Sequence, residues 1–279
     1  LLTGRYDDAA AAHREARELA EAAGDRHATG WSLTHLGNLA WTRGEYDAAT
    51  RYYTEALEIL REHHDRSGMW TAVNNLGAIA YVQKDYEQAR RRFSEGVTLQ
   101  RELRNQRSTA MLLHNLGCVD GAAGDHDSAR GHLLQALAIS ERMGYQRMSA
   151  LSLVGLADLS LREGDLDGAG TALKRALQLA AAANSQPVSL EALLGMARLR
   201  ARQGDDTGAA QLARIVVQHP ASEQDARAKA RQLLEEVASM DDAGTDTAAA
   251  GPSVFEHAES DLEQLIASLL EREPAPVDT

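Results

Sequence analysis

Alanine returns every 40 residues along this chain, at Ala9, Ala49, Ala89, Ala129, Ala169 and Ala209. Five residues ahead of each stands a glycine (Gly4, Gly44, Gly124, Gly164, Gly204), with Lys84 the one departure. A strict period of this size marks a stack of one repeated unit. In such arrays each unit buries its apolar face on its neighbours. The period therefore constrains fold and function together: the useful question is what the stacked surface holds.

Residues 31–65 show the unit. Leu33, Leu36, Leu39 and Ala40 fall three and four residues apart, one face of a helix. Gly44 and Glu45 interrupt the pattern, and Tyr46, Ala49, Tyr53, Ala56, Leu57 and Leu60 trace a second apolar stripe. This predicts a helical hairpin with a short turn. The turn glycine supplies a left-handed backbone at little steric cost. The acid that follows it (Glu45, Asp85, Asp125, Asp165, Asp205) is placed to cap the second helix and oppose its dipole. The recurring alanine is expected at the closest approach of the two helices, where Ala129→Leu should cost roughly 1–3 kcal/mol by overpacking.

The first helices repeat as HLGNLA (35–40), NLGAIA (75–80) and NLGCVD (115–120), drifting to GLADLS (155–160) and GMARLR (195–200). Together with Gly44, Tyr46, Tyr53 and Ala56, and with Phe93 and Gly96 in the next copy, these motifs resemble tetratricopeptide repeats, over roughly residues 1–220. The resemblance implies an all-α, right-handed α-solenoid of TPR-like helical hairpins. The 40-residue period exceeds the usual ~34 and is similar to the arrays of kinesin light chains and of bacterial MalT-like and related STAND regulators.

The array is expected over 1–240, about five and a half hairpins with Ala221–Met240 as a capping helix. Leu1–Gly4 matches the end of a first helix and Tyr6–Ala23 a second helix alone, which reads as the C-terminal part of a longer protein; a processed start is the alternative. Residues 241–253 have linker composition. An acidic amphipathic helix is expected over 254–273, with Phe255, Ala258, Leu262, Leu265, Ile266 and Leu269 on one face, and a disordered tail over 274–279. This helix either completes a hairpin with Ala221–Met240, the arrangement ordinary solenoid packing favours, or folds back, in cis or onto a neighbouring molecule, to cap or occupy the array. A homo-oligomer is one consequence of the second arrangement.

Net charge is −12, yet residues 241–279 hold ten acids and one base (−9), leaving 31 acids and 28 bases (−3) in the array. Neither part has the basic stripe that phosphate backbones require, so direct nucleic-acid binding is not expected. No apolar run approaches the ~18 residues of a membrane span. A single cysteine, Cys118, precludes an internal disulfide and fits a reducing, cytoplasmic setting.

A search for chemistry finds no phosphate loop, no CxxC and no cofactor motif. His63 and His64 are adjacent helical residues and point about 100° apart, so they do not chelate together. Asp7-Asp8, Asp205-Asp206 and Asp241-Asp242 are turn and linker acids. His114 with Asp158 is the one acid/base candidate, too little for catalysis, and no enzyme, metal or cofactor is expected.

What the resemblance implies is a concave groove lined by the first helices. Carried over by position, the groove residues are Trp31, His35, Asn38 and Trp41; Asn74, Asn75 and Tyr81; Met111, His114, Asn115 and Cys118; Leu151, Asp158 and Arg162; and Arg198 and Arg202. Asparagine offers donor and acceptor together, suited to a peptide main chain, while the aromatics and Met111 supply apolar anchors. Each also has a plainer role: Trp31 and Tyr81 packing between hairpins, Asn75 and Asn115 bonding a neighbouring turn, the arginines facing solvent. The positive clamp of chaperone-binding repeats is missing, since Thr34, Asn74 and His114 occupy its places. The expected partner is a protein, peptide or small-molecule effector. The resemblance implies a non-catalytic sensor at the C-terminal end of a larger bacterial signalling ATPase or transcriptional regulator, with a free-standing peptide-binding adaptor as the alternative.

Overall fold

The computed structural model describes residues 2–241 and 258–271. The expected linker beyond 241, the first four residues of the expected terminal helix and the whole 274–279 tail lie outside the described residues. The chain forms two compact units, 1–132 and 133–279.

Among the described residues there are thirteen helices and no strands: α1 (Leu2–Ala22), α2 (Arg26–Thr42), α3 (Tyr46–Glu62), α4 (Arg66–Val82), α5 (Tyr86–Glu102), α6 (Gln106–Ala123), α7 (His126–Arg142), α8 (Gln146–Glu163), α9 (Leu166–Ala182), α10 (Gln186–Arg202), α11 (Asp206–Gln218), α12 (Gln224–Asp241) and α13 (Ala258–Glu271). In the first unit α1 to α6 pack each on the next; in the second α8 to α12 do the same, and α10 also touches α8 and α12. This is the all-α array of helical hairpins that the 40-residue period predicts.

The backbone repeats twice as often as the sequence. A left-handed residue stands every 20 positions: Gly24, Gly44, His64, Lys84, Arg104, Gly124, Gly144, Gly164, Asn184 and Gly204, with φ between 48° and 87°. Turns within and between hairpins therefore close alike. At the first, the Gly24 N–H bonds the Glu21 carbonyl at 3.1 Å and the Asp25 N–H bonds the Ala20 carbonyl at 2.8 Å, a Schellman closure. The residue after it opens the next helix. Asp25, Asp65, Asp85, Asn105, Asp125, Asp165 and Asp205 accept hydrogen bonds from first-turn N–H groups. Glu45, expected to do the same, makes no side-chain cap bond; its extra methylene carries the carboxylate past the reach an aspartate has.

Ala49, Ala89, Ala129, Ala169 and Ala209 are fully buried, as the close-approach reading requires, whereas Ala9 is half-buried. Gly4 departs from its expected role, since α1 runs helical through it. On the outer face of α1, Leu19 is 65 % exposed, while its register equivalents Ile59 and Leu99 are 5 % and 9 % exposed.

At the other end α12 closes the stack by burying Ala226, Ala230, Leu233 and Val237. The favoured seventh hairpin is not the position the structure gives the terminal helix: α13 seats against α9. Its apolar stripe of Leu262, Ile266 and Leu269 is buried there.

Candidate functional site

In the first unit the successive first helices α2, α4 and α6 carry the expected asparagines, Asn75 and Asn115 in the same register and Asn38 three residues beyond it. Asn38 is the hub. Its Oδ1 accepts from the Tyr53 hydroxyl at 2.6 Å and from the Asn75 Nδ2 at 3.1 Å. Asn74 donates in turn to the Asn75 Oδ1 at 3.2 Å, and the Asn74 Oδ1 is buried without a partner. Tyr53 has no exposed surface, and burial pushes its phenol up to about 12 against the lowering effect of the Asn75 bond. Asn75 thus bonds another hairpin, while Asn115, half-buried at the same register, makes no side-chain hydrogen bond among the described residues.

The aromatics are held by their neighbours. The Trp31 indole N–H donates to the Asp65 Oδ2 at 2.9 Å, and His27 Nε2 lies 2.7 Å from the same oxygen. Asp65 also caps α4 through the N–H groups of Ser67 and Gly68. Burial acts to raise the Asp65 carboxyl, but the Gly68 N–H, His27 and Trp31 outweigh it and hold it below the usual range. Trp41 and Tyr81 lie over Tyr46 and Tyr86 across their hairpin turns, at ring separations of 5.3 and 6.1 Å. His35 stacks on His13 of α1 at 4.7 Å; burial, then the His13 charge, lowers its pKa. Met111 is half-buried, and His114 Nε2 lies 3.5 Å from the Cys118 sulfur one turn away.

In the second unit the structure brings three of the expected residues together. Asp158 accepts from Arg162 at 3.0 Å and from Arg198, on α10, at 3.2 Å. Arg202, one turn beyond Arg198, is exposed and makes no ion pair among the described residues. Arg162 and Arg198 thus share the Asp158 carboxylate, and Glu163 follows Arg162 at the end of α8. Leu151 is half-buried on α8.

Sequence reasoning missed one charged cluster. Asp120, 1 % exposed, sits on α6 between Arg90 Nε at 2.7 Å and His132 Nδ1 at 2.8 Å. Three of its register equivalents, Ala40, Ala80 and Ser160, are small, and the fourth is Arg200. An acid where three of the other four copies carry a small side chain was the available signal. The cluster ties α5, α6 and α7 by charge. Among the described residues, no group of three or more His, Cys, Asp or Glu side chains is placed to hold a metal ion. No described helix is long and apolar enough to cross a membrane.

Stacked helical hairpins of this kind form repeat arrays, in which each unit packs on its neighbours and extended surfaces serve binding. The chain belongs to the tetratricopeptide repeat family: two tetratricopeptide repeat patterns match, one over residues 1–62 and 69–142, the other over 34–98 and 114–184. Solved structures share the fold. A Rap protein complexed with Competence and Sporulation Factor is similar at a TM-score of 0.66 and 18 % identity, over 96 % of this chain and 72 % of that one. The apo form of RapI gives 0.64 and 15 %, over 87 % and 72 %. BtubC from P. vanneervenii gives 0.61 and 15 %, over 91 % and 98 %. At these identities the likeness is one of fold. No curated protein matches the sequence significantly.

Proposed function

We propose that this chain is a ligand-sensing repeat domain that holds an extended peptide segment of a partner protein against its first helices, and that it serves as the sensor of a larger bacterial signalling ATPase or transcriptional regulator. The observation that carries the binding reading is Asn115. It continues the register of His35 and Asn75 on the first helices, is half-buried, and keeps its carboxamide unbonded among the described residues. An unbonded amide pairs readily with a peptide group, because it donates and accepts at once. Arg202, exposed and without an ion pair among the described residues, favours an acidic residue in the bound segment. One of the fold relatives is named as a complex with a factor, which agrees with a binding role. The sensor assignment rests on repeat length and style. The adaptor alternative is favoured by the BtubC match, in which the shared fold spans almost the whole of that chain.

The test is selection from a random peptide display library against the wild type, Asn115→Ala and Arg202→Ala. Among the described residues these two side chains carry no hydrogen bond or ion pair, so folding is expected to be unchanged. The wild type should enrich a defined acidic motif, with at least tenfold weaker binding in each variant. No enriched motif, or a motif bound equally by both variants, would overturn the peptide reading. Sequencing the gene upstream of residue 1 separates sensor from adaptor.

A further inference from the structure

In the second unit a cavity of about 280 Å³ lies between α13 and the turn joining α9 to α10. Ala180 and Ala181 form its floor, and Leu262 and Ile266 of α13 close it from above. The room has a local cause. The α9–α10 turn is reached through four successive alanines, 180–183, where the corresponding stretch at 60–63 reads Leu-Arg-Glu-His. With no side chain beyond Cβ on the floor, the docked helix cannot fill the space beneath it.

One end of the cavity is polar. Ser185 and Ser189 line it, are 9 % and 2 % exposed, and their hydroxyls make no hydrogen bond among the described residues. Neither hydroxyl oxygen is among the buried side-chain atoms left without a partner, so both stand open to the cavity, able to donate to and accept from whatever enters it. Ser185 also stands at the start of α10 without capping it; Pro187 has no N–H, so Gln186 and Val188 carry the uncapped first-turn donors.

We infer that this cavity is a small-molecule site whose lid is α13, and that its ligand is an uncharged amphiphile of about ten non-hydrogen atoms with an amide or hydroxyl head. The size follows from a volume of ~30 Å³ per small group. The apolar floor and lid take the body, and the two serines take the head. The two local fields act in opposite senses, so a charged head of either sign meets one favourable and one opposing group, and a neutral head meets neither penalty. Glu263 stands in the wall and opposes an anion, while the positive end of the α10 dipole opposes a cation. Because the lid supplies half of the apolar surface, ligand binding and α13 docking are thermodynamically linked. The site is distinct from the first-helix surface of the proposed function and stands or falls without it.

The test uses three matched probes on the intact chain: octanamide, octanoate and octylammonium. Octanamide should bind at least tenfold tighter than either charged analogue. At ten times its dissociation constant, hydrogen exchange in α13 should slow about elevenfold, the factor 1 + [L]/Kd. Ala181 is on the open edge, so Ala181→Phe should fill the cavity and abolish binding while α13 stays protected without ligand. Ile266→Asp should release α13 and abolish binding together. Absence of saturable octanamide binding, equal affinity for the three probes, binding that survives Ala181→Phe, or exchange in α13 that octanamide leaves unmoved would each overturn the inference.

Discussion

The Tyr53 hydroxyl donates to the same Asn38 oxygen that accepts from Asn75, so one side-chain atom joins α2, α3 and α4. Tyr53→Phe removes one of the two donors without opening a void. The expected cost is about 1 kcal/mol, read as a lowered denaturant midpoint with an unchanged slope. The titration follows too. The unfolded phenol ionises near 10 and the folded one near about 12. Across that interval the unfolded chain binds fewer protons, so stability falls as pH rises through it. Tyr53→Phe should flatten this decline.

Asp65 gathers a cap and two cross-hairpin donors. Its folded pKa lies below the ordinary 3.8, so the unfolded carboxylate takes up its proton first as the solution is acidified. The Asp65 contribution is complete above the unfolded value and is lost as pH falls through the folded one. Asp65→Ala should cost about 1–2 kcal/mol at neutral pH and should raise the solvent accessibility of the Trp31 indole, read as a red-shifted, more quenchable emission.

Lys84 occupies a turn with φ at 62°, where every other turn inside a described hairpin uses glycine. A side chain in this region strains the backbone by about 1–2 kcal/mol. Glycine removes that strain but adds entropy to the unfolded chain. Lys84→Gly is therefore expected to stabilise by a net of about 0.5 kcal/mol, whereas Gly44→Lys should destabilise by about 1 kcal/mol or more. Paired thermal melts check the opposite signs.

The Arg90–Asp120–His132 cluster makes a separable prediction. Asp120 is buried while Arg90 is 42 % exposed, so the charge at risk is the carboxylate. Arg90→Met leaves it with His132 alone and should cost about 1–3 kcal/mol. Adding Asp120→Leu removes the buried charge itself, and the double variant should be less destabilised than the sum of the singles. Additive losses in urea unfolding would contradict a cooperative charge cluster.

Period and hairpin were legible in the sequence because helical spacing and turn glycine repeat the same physical requirement in each copy. The 20-residue backbone period was hidden, because His64, Lys84, Arg104 and Asn184 meet a glycine's geometry without its residue type. In the candidate site, helical register placed Trp31, Asn38 and Asn75 on the first helices correctly but said nothing of the neighbour each would meet. Trp31 met Asp65 and Asn75 met Asn38 across hairpins, and Tyr53 met Asn38 across a hairpin turn, at separations a single helix pattern does not encode. The seat of α13 was illegible for a similar reason: its apolar stripe fits any complementary surface, and the shallow alanine floor of α9 lies far from it in sequence.

The last prediction concerns two glycines that sit beneath aromatic rings. A Cβ at Gly37 would lie 2.7 Å from the Tyr53 ring, and one at Gly77 would lie 2.7 Å from the Phe93 ring. These first-helix glycines set how closely each hairpin closes over its aromatic. In the second unit the same register carries Ala157 opposite Leu173, and both are buried; the methyl is accommodated where the partner is aliphatic. Gly77→Ala alone should cost about 1–3 kcal/mol by overpacking, and Phe93→Leu alone about 1 kcal/mol through lost volume. The double variant recreates the Ala157–Leu173 pairing and should recover at least about 1 kcal/mol relative to additivity. A double-mutant cycle in denaturant reads the coupling directly, and a coupling near zero would show that ring and glycine are matched by something other than contact.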